Sequence, residues 1–218
     1  MALLSAYATA AQFRLRVGSK AAASDADLDA QLLLCSRLVE RSLQVMVGAF
    51  NSHTATYTFD ARGGALLSLR DRAGRGYFLQ AINADGLGID SELDGTYDGY
   101  VLDLNDAWLR GLPESAVAGS EPYSMLELLG HLSSASPSRW LDQPANVRIA
   151  GTWGWAAVPG AILELTVSIV HDLRQAHLGG ATLEVPALDG GGFPMRDDSW
   201  RLWREVKALY GRRAPTLA

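Results

Sequence analysis

The sequence predicts an α+β protein, mainly α, with helical ends and a β-rich middle. Three observations carry this reading. Two long stretches repeat apolar residues at steps of three and four. The span between them holds short alternating or apolar stretches separated by Gly- and Asp-rich breaks. Cap and breaker residues stand where the periodicity changes.

The first long stretch runs from Ser24, where Leu28, Leu32, Cys35, Val39, Ser42, Met46 and Ala49 fall on one helix face. Ser24 and Asp27 resemble a capping box, Asp25 and Asp27 suit the positive end of the helix dipole, and the helix is expected to end near Gly48. Upstream, Ala6 to Val17 reads as a short helix joined to it by "GSKAAAS".

From residue 54 the period changes to two. "TATYTFD" sets Ala55, Tyr57 and Phe59 against threonines, a half-buried strand, and "RGG" at Arg62 to Gly64 is a turn. "ALLSLRD", "GYFLQAIN", "GYVLDLND" and "SMLELLG" follow as further short stretches. "NVRIAGTWGW" closes the series and is expected to place Val147, Ile149, Trp153 and Trp155 on one side of an extended chain.

Pro159 then fits the first turn of a helix, where its missing N–H costs nothing. Ile162, Leu165, Ile169 and Leu173 make its buried stripe, and Gly179-Gly180 its stop. Beyond "LDGGGFP", in which Gly190 to Gly192 read as a hinge, a last helix begins with Asp197, Asp198 and Ser199 as cap residues. Trp200, Trp203 and Tyr210 line one stripe of it, and Leu202, Val206 and Leu209 the adjacent one. So wide an apolar face needs a cover. The expected organisation is a helical core from residues 1–53 and 156–180, a β-rich insertion over 54–155, and a linker with a C-terminal docking helix over 181–218.

Composition narrows the function. With 48% hydrophobic and 20% charged residues in 218, the chain can bury a real core. A net charge of -5 argues against a general phosphate-binding surface, since non-specific nucleic-acid affinity comes from Lys and Arg. It suits a wall past which DNA slides without sticking. Cys35 is the single cysteine, so neither an intrachain disulfide nor a thiolate zinc cluster is expected. The start "MALLSAYATAAQFRLRVG" lacks the pattern of a secretory signal, and no run of about 18 apolar residues occurs. Synthesis in a cytoplasm and no membrane partner are the corresponding expectations.

Chemistry-bearing motifs are few. In "DSELDGTYDGYV", Asp90, Glu92 and Asp94 precede Gly95 as the first ligands of a calcium loop would, with Asp98 nearby. The twelfth position, which such a loop fills with a bidentate Glu, is Val101. The stretch reads as an acidic surface turn, with a weak metal site as the alternative. Cys35 sits on an apolar helix face rather than at a helix start, which reads as structural. His53, His131, His171 and His177 form no metal-binding pair, and no nucleophile elbow, Walker loop or dinucleotide fingerprint occurs. No catalytic residue, metal or cofactor is assigned, and the protein is expected not to be an enzyme. Trp153 and Trp155 read as structural, a lid on the following helix. Trp200 and Trp203 read equally as core or as interface anchors.

The order of these segments resembles the head-to-tail adaptor, or connector, proteins of long-tailed double-stranded DNA bacteriophages. "YATAAQF", "DADLDAQLLLCSRLVERSL", "TATYTFD", "EPYSMLELL", "VRIAGTWGWAAVP" and "AILELTVSIVHDLRQA" carry the likeness. It is most specific from Val147 to Ala176 and spans roughly residues 3 to 60 and 121 to 178. The stretch from Asp85 to Gly119 is long for that family.

The resemblance implies a small helical bundle: the N-terminal helices, the long helix after Pro159 and the C-terminal helix. Such subunits pack side by side in a homo-oligomeric ring, typically of twelve copies, beneath the portal in the virion neck. The ring joins capsid to the stopper or tail protein and lets DNA pass without sequence-specific binding. On this likeness Trp153, Trp155 and Pro159 pin the insertion to the helix. Trp200, Trp203, Arg204, Tyr210, Arg212 and Arg213 dock on the portal protein, aromatic anchors in pockets and arginines on acidic groups. The alternative reading is a calcium- or ligand-binding β-rich module of non-viral origin.

Overall fold

The computed structural model describes residues 5–18, 24–90, 92–97, 109–112, 122–128, 140, 142, 144–178 and 195–211. The architecture is α+β. In chain order the elements are α1 (Ala10–Val17), α2 (Asp25–Leu43), β1 (His53–Phe59), β2 (Leu66–Ser68), β3 (Leu79–Ile89), β4 (Leu109–Leu112), β5 (Met125–Leu128), β6 (Val147–Trp153), α3 (Gly160–Leu178) and α4 (Asp197–Tyr210). They fall into two compact units. Both chain ends, Met1–Asn51 and Ala157–Ala218, make one, and Ser52–Ala156 makes the other.

In the helical unit, α1 starts at a capping box: Thr9 Oγ1 accepts from the Gln12 amide while the Gln12 side chain accepts from the Thr9 amide. The helix therefore begins at Ala10 and not at Ala6, because the cap fixes Thr9 in an extended conformation. In α2, Ser24 Oγ accepts the Asp27 amide, which is the first half of the capping box that the spacing suggests. The helix stops at Leu43, short of the expected Gly48. Gln44 adopts a left-handed conformation, φ 55°, and turns its amide back to the carbonyls of Glu40 and Arg41. Met46 and Ala49 stay buried, but beyond the end of the helix, with Ala49 on a turn.

The stripe of α3 is buried as the spacing predicts, at Ile162, Leu165, Ile169 and Leu173. The Pro159 carbonyl accepts from the Ile162 and Leu163 amides at 3.0 and 3.1 Å, which starts the helix. These helices share a core with Tyr7, Phe13, Leu28, Leu32, Cys35, Val39 and Phe50, and α4 packs against both α2 and α3. Burial pushes the Cys35 thiol up to about 12, which makes it a packing residue.

The α4 start departs from expectation. Its N-cap is Arg196, with no side-chain cap bond. Asp197 and Asp198 lie in the first turn, and Ser199 is buried. The substitute for a cap comes from Asp172 on α3.

The β unit holds two antiparallel three-stranded sheets, with orders β1-β6-β3 and β2-β5-β4. An isolated bridge between Leu79 and Tyr123 joins them. A single apolar core serves both sheets, with Phe59, Leu79, Leu87, Val147, Ile149 and Trp153 from the first and Leu67, Leu126 and Leu128 from the second. The stretch "GYVLDLND" lies outside the described residues.

The motif "GTWGW" is resolved by this sheet. β6 is central, so Gly151 is approached from both sides, by Ala55 of β1 and Ile82 of β3. A Cβ at Gly151 would overlap the Ala81 carbonyl oxygen. Trp153 ends the strand, fully buried against Tyr57, Phe59 and Tyr77, with ring centroids at 5.0, 5.7 and 6.1 Å. Its indole N–H donates to the Ala55 carbonyl at 3.0 Å. Gly154 then takes φ 86°, a conformation that favours glycine. That turn breaks the expected common parity: Trp155 leaves the line of Val147, Ile149 and Trp153 and sits half-buried near Phe78, with ring centroids at 6.0 Å.

Candidate functional site

Helix α4 carries most of the residues to which the sequence assigns docking. Trp200 and Trp203 meet edge to face with centroids 5.4 Å apart. Lys207 Nζ lies 4.6 Å from the centre of the Trp203 ring, a cation–π contact one turn on. The Trp203 indole N–H donates to Ser42 Oγ on α2 at 3.4 Å, and the Tyr210 ring meets Phe50 edge to face at 5.6 Å. Val206, of the adjacent stripe, is fully buried.

The inner part of the wide apolar face is thus covered by the helical unit itself. Its two tryptophans are half-buried, Arg204 is exposed with Nε donating to the Trp200 carbonyl, and Leu209 is 58% exposed. Arg212 and Arg213 lie outside the described residues.

What holds α4 in place was not visible in its own sequence. Asp172 on α3 is buried, and its Oδ2 accepts the backbone amide of Arg196, the α4 N-cap residue, at 3.0 Å. Asp172 Oδ1 lies 3.9 Å from Arg196 Nε and 3.7 Å from His171 Nδ1. A carboxylate from another helix thereby stands where a cap would, at the positive end of the α4 dipole.

A second buried carboxyl was also missed. Glu40 of α2 accepts from the Tyr7 hydroxyl and from Arg37 through Oε1, which also takes the Gly48 amide at 2.7 Å. Its Oε2 is buried with no hydrogen-bond partner among the described residues. Burial raises the Glu40 carboxyl above its ordinary range, against the opposing pull of Tyr7, Gly48 and Arg37. Burial and the neighbouring Glu40 raise the Tyr7 phenol as well. The only sequence signal was an acidic residue one position past Val39, on the edge of the apolar stripe.

The acidic stretch that resembles a calcium loop is organised around its own backbone. Asp90 is buried, and its two oxygens accept the amides of Asp94 at 3.2 Å and Gly95 at 2.9 Å. Asp94 Oδ1 accepts the Thr96 amide at 2.7 Å, and Glu92 is exposed. These are turn-forming bonds of the kind Asp makes at chain reversals. Asp98 lies outside the described residues, and among the described residues no three His, Cys, Asp or Glu side chains converge as metal ligands. His53 Nε2 pairs with the Tyr57 hydroxyl at 3.2 Å, while His131 is outside the described residues.

Among the described residues no helix is long and apolar enough to cross a membrane. Comparison with protein-family models and with curated protein sequences finds no match.

Proposed function

We propose that this chain is a structural virion protein, a head-to-tail adaptor that forms a ring under a portal, joins capsid to stopper or tail, and lets DNA pass. The observation that carries the reading is the order of parts. Both chain ends build one helical unit, the β unit is inserted between α2 and α3, and "GTWGWAAVP" stands at the return junction. That order and that junction are the features in which the sequence resembles phage adaptors.

Helix α4 supplies the docking element in this reading. It presents the half-buried Trp200 and Trp203 with exposed Arg204 and Leu209, a mixture of aromatic, guanidinium and apolar groups suited to a protein pocket. The helices act as a small bundle that packs side by side with neighbouring copies, twelve in the ring. The net charge of -5 suits a channel that repels phosphate. The protein works as a structural part and not as an enzyme, at the neck of the virion.

The test is light scattering after size exclusion, with the protein alone and mixed with the candidate portal ring from the same genome. Comigration with a mass gain near one copy per portal subunit is the expected result. A persistent free monomer beside a competent portal ring would overturn the adaptor reading.

A further inference from the structure

A groove of about 680 Å3 in the β unit belongs to none of the surfaces above. One wall is β1, through Thr56, Tyr57 and Thr58, and the other is the turn from Arg70 to Arg75 with Tyr77. Because consecutive residues of both strand parities line it, the groove follows the edge of β1 and not one face of the sheet. That edge is open: β1 pairs with β6 on one side, and among the described residues no strand pairs with it on the other. In an antiparallel ladder alternate residues point their N–H and C=O groups away from the partner, so an edge strand offers a row of donors and acceptors. The Ala55 carbonyl is already taken by the Trp153 indole, and the groove begins one residue later.

Charge selects the occupant. The turn places Arg70, Arg72 and Arg75 on the groove against two carboxylates, Asp60 and Asp71. Both carboxylates are committed. Asp60 accepts the Ala145 amide at 2.6 Å and Arg72 Nε at 3.2 Å, and Asp71 accepts the Arg75 amide at 2.8 Å and Arg75 Nε at 2.7 Å. Each ion pair is made through Nε, which leaves the terminal amino groups of Arg72 and Arg75 uncommitted among the described residues. Their side chains are 72% and 54% exposed. Such terminal nitrogens are the fork that receives a carboxylate.

We infer that this groove binds an extended acidic segment of a protein partner, which adds to the sheet as a strand beside β1 and places carboxylates on Arg72 and Arg75. Main-chain pairing supplies the register and the arginines supply the selectivity. A polyanion without peptide bonds meets only the arginines, which is why the edge favours protein over nucleic acid. The inference is independent of the adaptor reading.

The test is fluorescence anisotropy on the full chain with a labelled octapeptide of alternating valine and glutamate. Saturable binding is expected. It should weaken roughly tenfold or more in Arg72→Glu/Arg75→Glu, whose exposed positions leave the fold intact by circular dichroism. It should weaken similarly when alternate peptide bonds of the probe are N-methylated, which keeps the charges and removes the amide donors. Equal binding of the methylated probe, of a valine-lysine octapeptide, or of the probe by the double variant would overturn the proposal. So would no binding at all, or tighter binding of single-stranded oligothymidylate than of the acidic peptide.

Discussion

The Asp172 carboxylate on α3 accepts the backbone amide of Arg196 at 3.0 Å, and this bond anchors the start of α4, whose own sequence supplies no side-chain cap. A hydrogen bond to a buried charged group contributes about 1.5–3 kcal/mol. Asp172→Ala is therefore expected to speed amide hydrogen exchange across residues 197–210 while exchange in β6 stays unchanged. Equal exchange in α4 of both proteins would show that its packing on α2 and α3 suffices without the bond.

Glu40 makes the stability of the helical unit depend on pH. Burial raises its carboxyl in the folded state above the unfolded value of about 4.3. The native state then holds the proton more tightly. Its contribution is full below about pH 4.3 and is lost as the pH rises through the raised folded value. Glu40→Gln removes this titration, so its urea midpoint should fall less than that of the wild type between about pH 4.3 and neutrality. Parallel profiles for the two proteins would refute the assignment.

Tyr7 donates to the buried Glu40 carboxyl, a bond that opposes the upward shift from burial without cancelling it, and its oxygen also accepts the Phe50 amide at 3.4 Å. Tyr7→Phe is expected to cost about 1–3 kcal/mol in equilibrium denaturation, since it strips partners from buried polar groups. The wild-type phenol, raised by burial, resists ionisation in the folded state. Stability should then fall as the pH rises past the unfolded value of about 10, and Tyr7→Phe should lack that component.

The β unit rests on the "GTW" of β6. Trp153→Ala empties a site that is fully buried among three aromatic rings, and a loss of about 3–5 kcal/mol is expected. Gly151→Ala inserts one methyl group against the Ala81 carbonyl of β3 and should also destabilise, by about 1–3 kcal/mol. Thermal unfolding followed by tryptophan fluorescence measures both. A neutral Gly151→Ala would mean that the β3–β6 spacing yields easily.

Docking through α4 is best probed where the helix does not hold its own unit together. Trp203 and Tyr210 are tied to Ser42 and Phe50, so their truncation mixes folding with binding. Arg204 and Leu209 are exposed, and Arg204→Glu/Leu209→Glu should leave the melting temperature nearly unchanged. In the adaptor reading this double variant no longer comigrates with the portal ring. Undiminished comigration by the folded variant would remove α4 as the docking element.

The sequence by itself determined whatever depends on neighbours within a few turns of chain. The stripe of Ile162, Leu165, Ile169 and Leu173, the alternation of β1, and the Ser24 cap are local periodicities and local hydrogen bonds, and they appear as read. Local reading failed where one residue's backbone angle redirects the chain, as Gln44 does after α2 and Gly154 does between the two tryptophans. Only the tertiary structure decided the rest. Asp172 finds Arg196 across 24 residues, Glu40 finds Tyr7 across 33, and Arg72 reaches Asp60 at the end of β1 through the returning turn. Which charges are buried, capped or left with uncommitted nitrogens depends on those long-range approaches. Burial sets the energy of a charge, and which charges are buried is decided by the packed chain, whereas local spacing marks only the apolar stripes.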